Sequence, residues 1–204
     1  MGDILKGVAL AVSIVVFAGC GGGGVSTTTA NNQITNPDPA HAPVLSQATI
    51  DRYLKAINDA RTKPGGQDCG QYGHFDPAPA LTWSDELYHA SYEHSYDMAE
   101  SDWFSHDGSG TQNDWTAQVQ NLGRGSKLDE RVANNNYTNW TRIGENIAAG
   151  TDMDTPEEAV AAWMNSPGHC KNIMDPNFKE VGMAMVQEPA STYNYYWTQD
   201  FGAK

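Results

Sequence analysis

Basic residues are scarce in this chain: 12 Lys and Arg stand against 25 Asp and Glu in 204 residues, a formal net charge of -13. Nucleic acids and anionic lipid headgroups are held by clustered Lys and Arg, and no basic run occurs here, so neither is expected as a partner. The acidic surplus reads as a solubility feature rather than a partner-binding face. Catalytic signatures are missing too. There is no G-x-S-x-G elbow, no H-E-x-x-H helix, no phosphate-cradling glycine loop and no dinucleotide fingerprint, so no strong nucleophile or cofactor motif is offered. Cysteine is limited to Cys20, Cys69 and Cys170. A domain of about 150 residues buries roughly 68–70% of its unfolded surface. Nothing demands an oligomer, and a monomer is expected.

Long apolar runs are also absent. The segment Val8 to Phe17 after Lys6 is too short to span a bilayer and fits the apolar region of a signal peptide, which gives residues 1–19 as a leader. Phe17-Ala18-Gly19-Cys20 resembles a bacterial lipobox, with Phe17 where leucine is more usual, so Cys20 is the expected lipidation site and the membrane a partner through that anchor. Cleavage without lipidation, giving a secreted product, is the alternative. The expected location is extracytoplasmic, at the cell envelope or surface. Residues 20–44 are rich in Gly, Thr, Asn and Pro and poor in large apolar side chains, so they read as a tether. Lipidation of Cys20 leaves Cys69 and Cys170 as an even pair in an oxidising compartment, where a disulfide is expected. A thiolate nucleophile at Cys170, beside His169, is the competing reading.

From Leu45 onward the chain alternates packed elements with turns. Ile50, Tyr53, Leu54 and Ile57 repeat at helical spacing, and Lys63-Pro64-Gly65-Gly66 closes that helix. Ser84 caps a second helix from Asp85 to about Asp102, with Leu87, Tyr88, Ser91, Ser95 and Met98 on its inner stripe. His89 and His94 on it lie five apart, off the spacing of a shared face, and read as structural or surface residues. Thr155, Pro156 and Glu158 form an N-cap, a first-turn proline and a capping-box partner. That third helix is expected to stop at Ser166-Pro167-Gly168, leaving His169 and Cys170 just past its end. Val181, Met183 and Met185 alternate as a strand, and Tyr195, Trp197, Gln199 and Phe201 as its hairpin partner.

Four blocks, FSHDGSGT, IGENIAAG, SPGHCKNIM and YYWTQDFG, stand in one order along residues 48 to 202. Together they resemble the bacterial branch of the CAP superfamily: cysteine-rich secretory proteins, antigen 5 and pathogenesis-related proteins, also called SCP-like domains. The resemblance implies an α+β fold, a three-layer α-β-α sandwich with a central mainly antiparallel sheet, over residues 45–204. It also implies a shallow cleft lined by histidine and glutamate, to which His106 and Glu145 correspond. Arg61 matches a family position read as structural. Residues near 112–129 depart from the pattern as an inserted segment, expected to hold a short helix and to overhang the cleft.

His106, Glu145 and His169 are the expected site, with Glu180 as a fourth member and second carboxylate. In animal and plant relatives the cleft resembles a tetrad of two histidines and two glutamates; here the helix glutamate position falls at Ser166 and the second histidine position at Asn177. Two imidazoles and a carboxylate suit zinc or another divalent metal with an open position. Three readings stay open. One is a binding module of the envelope that contacts a small ligand, lipid, glycan or protein. Another is a hydrolase in which Glu145 acts as base and His106 as acid. The third is a scaffold in which these side chains only hydrogen-bond one another. Tyr193, Tyr195 and Tyr196 either rim an apolar groove or simply follow strand alternation.

Overall fold

Capping chemistry sets the first helix. Ser46 accepts a hydrogen bond from the Thr49 amide, and α1 runs Gln47–Arg61 with Ile57 and Arg61 buried. The computed structural model describes residues 42–204; the expectations for the leader, for Cys20 and for the tether as far as residue 41 lie outside the described residues. A short hairpin of β1 (Gln67–Asp68) and β2 (His74–Phe75) follows, then β3 (Thr82–Trp83) and α2 (Asp85–Glu100). Two short helices, α3 (Trp115–Gln120) and α4 (Leu128–Asn134), precede β4 (Arg142–Gly150). The chain ends in α5 (Pro156–Met164), α6 (Pro167–Met174), β5 (Glu180–Glu188) and β6 (Asn194–Ala203).

The main sheet has the order β3-β5-β6-β4. β5 and β4 both pair antiparallel with β6, and only the two-residue β3 runs parallel to β5. One face is covered by α1, α5 and α6, whose core joins Ile57, Val160, Trp163 and Ile173 to Val181, Met183, Trp197 and Phe201. The other face carries α2, with Met98 and Ala99 against Ile147 and Tyr196. Helices on both faces of a mostly antiparallel sheet give the α+β sandwich that the resemblance implied. Gly182 makes the close approach possible: a Cβ there would lie 2.0 Å from the Tyr88 backbone nitrogen.

Pro167 behaves differently from the sequence expectation. It ends nothing by itself; α5 already stops at Met164, and Pro167 is the first residue of α6, with Ser166 as its N-cap. Proline lacks the N–H that would be unsatisfied in a first turn, so it starts a helix as readily as it prevents one continuing. His169 and Cys170 therefore lie within the opening turns of α6 rather than past a helix end. Cys170 is joined to Cys69 across 101 residues of sequence, as the cysteine count predicted, and both are buried. With its sulfur in that bond, Cys170 is no free thiolate. Arg61 is structural: its guanidinium donates to the carbonyls of Pro79 at 2.6 Å and Phe178 at 3.1 Å, and to that of Ile173. Among the described residues no helix is long and apolar enough to cross a membrane.

Candidate functional site

Three elements meet over β4, the edge strand of the sheet. The loop after α2 brings Phe104 to Asp107, β4 brings Ile147, and α6 brings His169; together they line a cleft of about 460 Å³. The His106 and His169 rings face one another there, centroids 6.5 Å apart. Beneath them lies Glu145, whose position in β4 faces Asp200 of β6 in the strand register. His106 Nδ1–H donates to Glu145 Oε1 at 2.7 Å. Because that nitrogen is engaged, Nε2 is the ring atom left for the cleft.

Glu145 is nowhere near free. Arg131 of α4 donates from Nη2 to Glu145 Oε2 at 2.6 Å, and the two side chains are 1% and 3% exposed. The same guanidinium reaches the His106 carbonyl at 3.0 Å and, through Nη1, the Ser126 carbonyl at 3.0 Å. His94 Nε2–H donates to the Ser105 carbonyl at 2.9 Å and stands 3.9 Å from Glu145 Oε2. The loop that carries His106 is thus held from below by His94 and Arg131, one carbonyl each. Asp200 completes the group, accepting from Ser91 Oγ at 3.0 Å.

The electrostatics follow from these contacts. Burial opposes a charge on Glu145, but the Arg131 guanidinium, with the hydrogen bond from His106, more than offsets it and brings the carboxyl down to about 2. Asp200 is driven the other way, well above the carboxylate range, by burial and then by the Glu145 charge beside it. Two adjacent buried carboxyls facing one guanidinium divide into an ionised and a protonated member. His94 is held down to about 4 by burial and then by Arg131, so it is a neutral side chain here. His106 is raised, chiefly by its hydrogen bond to Glu145, whereas His169 is lowered by burial and by His106.

The sequence-predicted residues divide accordingly. His106, Glu145 and His169 come together. Glu180 does not join them; it accepts from Tyr137 Oη at 2.7 Å at a different register position of the sheet, opposite Gly202. Asn177 turns to Asp175, to which it donates at 2.7 Å. Among the described residues no group of three or more His, Cys, Asp or Glu side chains is placed to hold a metal ion. The donors fit a metal in a narrower way. Glu145 fixes the ring of His106 through one oxygen, an arrangement that would suit a metal-bound histidine, and the two imidazoles are the groups that would hold an ion in the cleft. Glu145 is also a poor base, locked to Arg131 with its pKa at about 2.

Arg131, His94 and Asp200 were not singled out for the site from sequence. A usable signal existed for His94, because Ala90, His94 and Met98 are spaced four apart and all three are fully buried. Segment 112–129 contributes no residue to the cleft lining. It packs on α2 instead, where Glu93 accepts from the Thr116 amide at 2.6 Å and from Asn135 Nδ2 at 2.7 Å.

Comparison with known proteins agrees with this architecture. The chain is 48% identical over 65 residues to the uncharacterized protein YkwD of Bacillus subtilis, a stretch that is 32% of this chain and 23% of that one. It thus matches under a quarter of that relative's length. An extracellular protein of Bacillus anthracis containing an SCP domain superposes with a TM-score of 0.54 at 22% identity, over 80% of this chain and 45% of that one. An outer surface protein of Borrelia burgdorferi gives 0.53 at 16% identity, over 79% of this chain and 96% of that one. Both likenesses are of fold. The cysteine-rich secretory protein family model, CAP, matches residues 54–201, more than half of the sequence, and the chain belongs to that family.

Proposed function

We propose that this is an extracytoplasmic binding protein of the cell envelope, anchored through Cys20, whose cleft takes a divalent metal, zinc first among them, between His106 and His169. Open positions on the ion are left for a small ligand. The single observation that carries the reading is the 2.7 Å hydrogen bond from His106 Nδ1 to Glu145, which fixes the ring with Nε2 toward the cleft and His169 across from it. The neutral state favoured at His169 suits it to donate a lone pair. Export is supported by the buried Cys69–Cys170 disulfide, since such bonds persist in oxidising compartments. The lipobox-like run before Cys20 supports the anchor, and the relatives described as extracellular and outer-surface proteins are in keeping with export. No observation favours a hydrolase with Glu145 as base, so binding rather than catalysis is the function proposed.

The test is zinc content and affinity of the oxidised, dialysed mature chain beside a His106→Ala, His169→Ala double variant. One zinc per chain in the wild type and none in a folded variant is the expected result. Equal binding by both, or by neither, would refute the metal site.

A further inference from the structure

Large hydrophobic side chains that stay in water usually do so singly. Here three of the six strongly exposed ones among the described residues gather at one place: Trp103 at 50%, Phe104 at 45% and Tyr193 at 39% exposure, with Val44, Tyr72 and Trp140 elsewhere. Phe104 is itself part of the cleft lining, and its ring lies 5.8 Å from that of Tyr193. Polar contacts hold the Trp103 ring and the loops that carry the other two. Trp103 Nε1–H donates to the carbonyl of Asp107, another lining residue, at 3.2 Å. Asp102 accepts from the Thr192 amide at 2.9 Å, from Thr192 Oγ1 at 2.8 Å and from Tyr196 Oη at 2.9 Å. It thereby ties the β5–β6 hairpin loop, next to Tyr193, to the turn that presents Trp103 and Phe104. Asp102 does this at φ +47°, a left-handed conformation that non-glycine residues adopt at a cost and that gathers at binding sites.

We propose that Trp103, Phe104 and Tyr193 form a sugar-binding rim, and that the occupant of the cleft is an uncharged glycan strand built of pyranose rings. This rests on the reading of the cleft as a ligand site but does not require the metal. A pyranose presents axial C–H bonds on one face and hydroxyls at its edge. The C–H face suits the electron-rich face of an aromatic ring, and the hydroxyls suit His106, His169 and the loop carbonyls. The chain's formal charge of -13 disfavours an anionic polymer or headgroup. An acyl chain would lie half in water against two imidazoles and the Asp107–Lys127 ion pair, where burial of apolar surface is incomplete. At about 460 Å³ the cleft falls among small-ligand sites of roughly 300–1,000 Å³.

The experiment is calorimetric titration of the oxidised mature chain with cellohexaose and with the hexamer of N-acetylglucosamine, for wild type and for Trp103→Ala, Phe104→Ala and Tyr193→Ala. Saturable binding of at least one hexaose is expected, weakened about tenfold by each loss of a stacking ring, with the melting temperature little changed. Absence of binding up to millimolar sugar would overturn the proposal, as would alanine variants that bind like wild type. So would phosphatidylcholine vesicles captured by the wild type and released by the same variants, which would make the rim a lipid surface. Zinc titration of the wild type and of the three ring variants separates the two readings. If the ring variants lose the hexaose but keep zinc, the rim stands apart from the metal; if no protein binds zinc while the wild type still binds the hexaose, only the metal reading is lost.

Discussion

Removing the charge of Arg131 tests how the site is held together. Its guanidinium and Glu145 lie 2.6 Å apart with almost no exposure, and at an effective dielectric near 20 their attraction is about 6 kcal/mol. Desolvation of both ions offsets much of this, so the pair's net contribution is small. Breaking it from one side is not small, because a buried carboxylate is left uncompensated, at about 3–5 kcal/mol. Arg131→Met is therefore expected to cost that much in urea denaturation at pH 7, a large part of the ~5–15 kcal/mol that holds a domain folded. Glu145→Gln should cost less, about 1–2 kcal/mol, because Asp200 stands beside the same guanidinium. With the Glu145 charge gone, Asp200 can ionise in its place. The double variant should then be less damaged than the sum of the singles by at least about 2 kcal/mol. The pH dependence carries a sign. In wild type, Glu145 contributes stability that is complete above the ordinary carboxylate pKa and is lost as pH falls toward about 2. In Arg131→Met the carboxyl titrates above its ordinary value, so the penalty should shrink between pH 7 and pH 4. A Glu145→Gln variant as damaged as Arg131→Met, or strictly additive singles, would refute this account of the buried charges.

Two further outcomes follow from buried groups. His94 is lowered to about 4, so it favours the fold fully above its ordinary pKa near 6.5 and withdraws that support as pH falls, by about 3 kcal/mol in all. His94→Gln should lower stability at pH 7 yet flatten the decline between pH 6.5 and 4; the difference between the two proteins isolates His94, because Glu145 and Asp200 titrate in both, and an unchanged slope would remove it as the acid-sensitive group. Cys69→Ser with Cys170→Ser opens a loop of 101 residues and should cost about 4–5 kcal/mol by chain entropy. A loss under about 1 kcal/mol in matched urea titrations would show that the bond adds little beyond the packing around it.

Local chemistry made most of the fold legible. The Thr155 box is present as expected, with the Glu158 amide donating to Thr155 Oγ1 at 3.3 Å and the Thr155 amide to Glu158 Oε2 at 3.1 Å. The alternation in residues 181–185 and 195–201 became β5 and β6, paired antiparallel. Pro167 misled because the same missing N–H ends one helix and begins another, and only the backbone at Ser166 decides which. The site was legible in its surface layer alone. His106, Glu145 and His169 announce themselves through short motifs, but what lies beneath depends on strand register. That Asp200 faces Glu145 follows from the pairing of β4 with β6, a fact about residues 55 positions apart that no local pattern carries. Arg131 was equally hidden, since an arginine on a short acidic helix looks like a surface residue until the helix is seen to pack inward.

The segment read as an insertion gains its meaning from that buried layer. Asp114, at its start, accepts from the amides of Gly110, Ala117 and Ser126 at 3.1, 3.1 and 2.8 Å, and Gly108 donates back to the Ser126 carbonyl at 2.8 Å. Gly108 must be glycine for this, because a Cβ there would lie 2.2 Å from Asp114 Oδ2. The segment is knitted on one side to the loop that carries His106 and on the other, through Glu93, to α2. Its C-terminal end leads into α4, and α4 delivers the guanidinium that holds both the Glu145 carboxylate and the His106 carbonyl. A segment that overhung the cleft would select ligands by touching them. This one sets the position and charge of the groups that do, which means that substitutions on its outer surface should leave the cleft alone while changes at Asp114, Ser126 or Arg131 should reach His106.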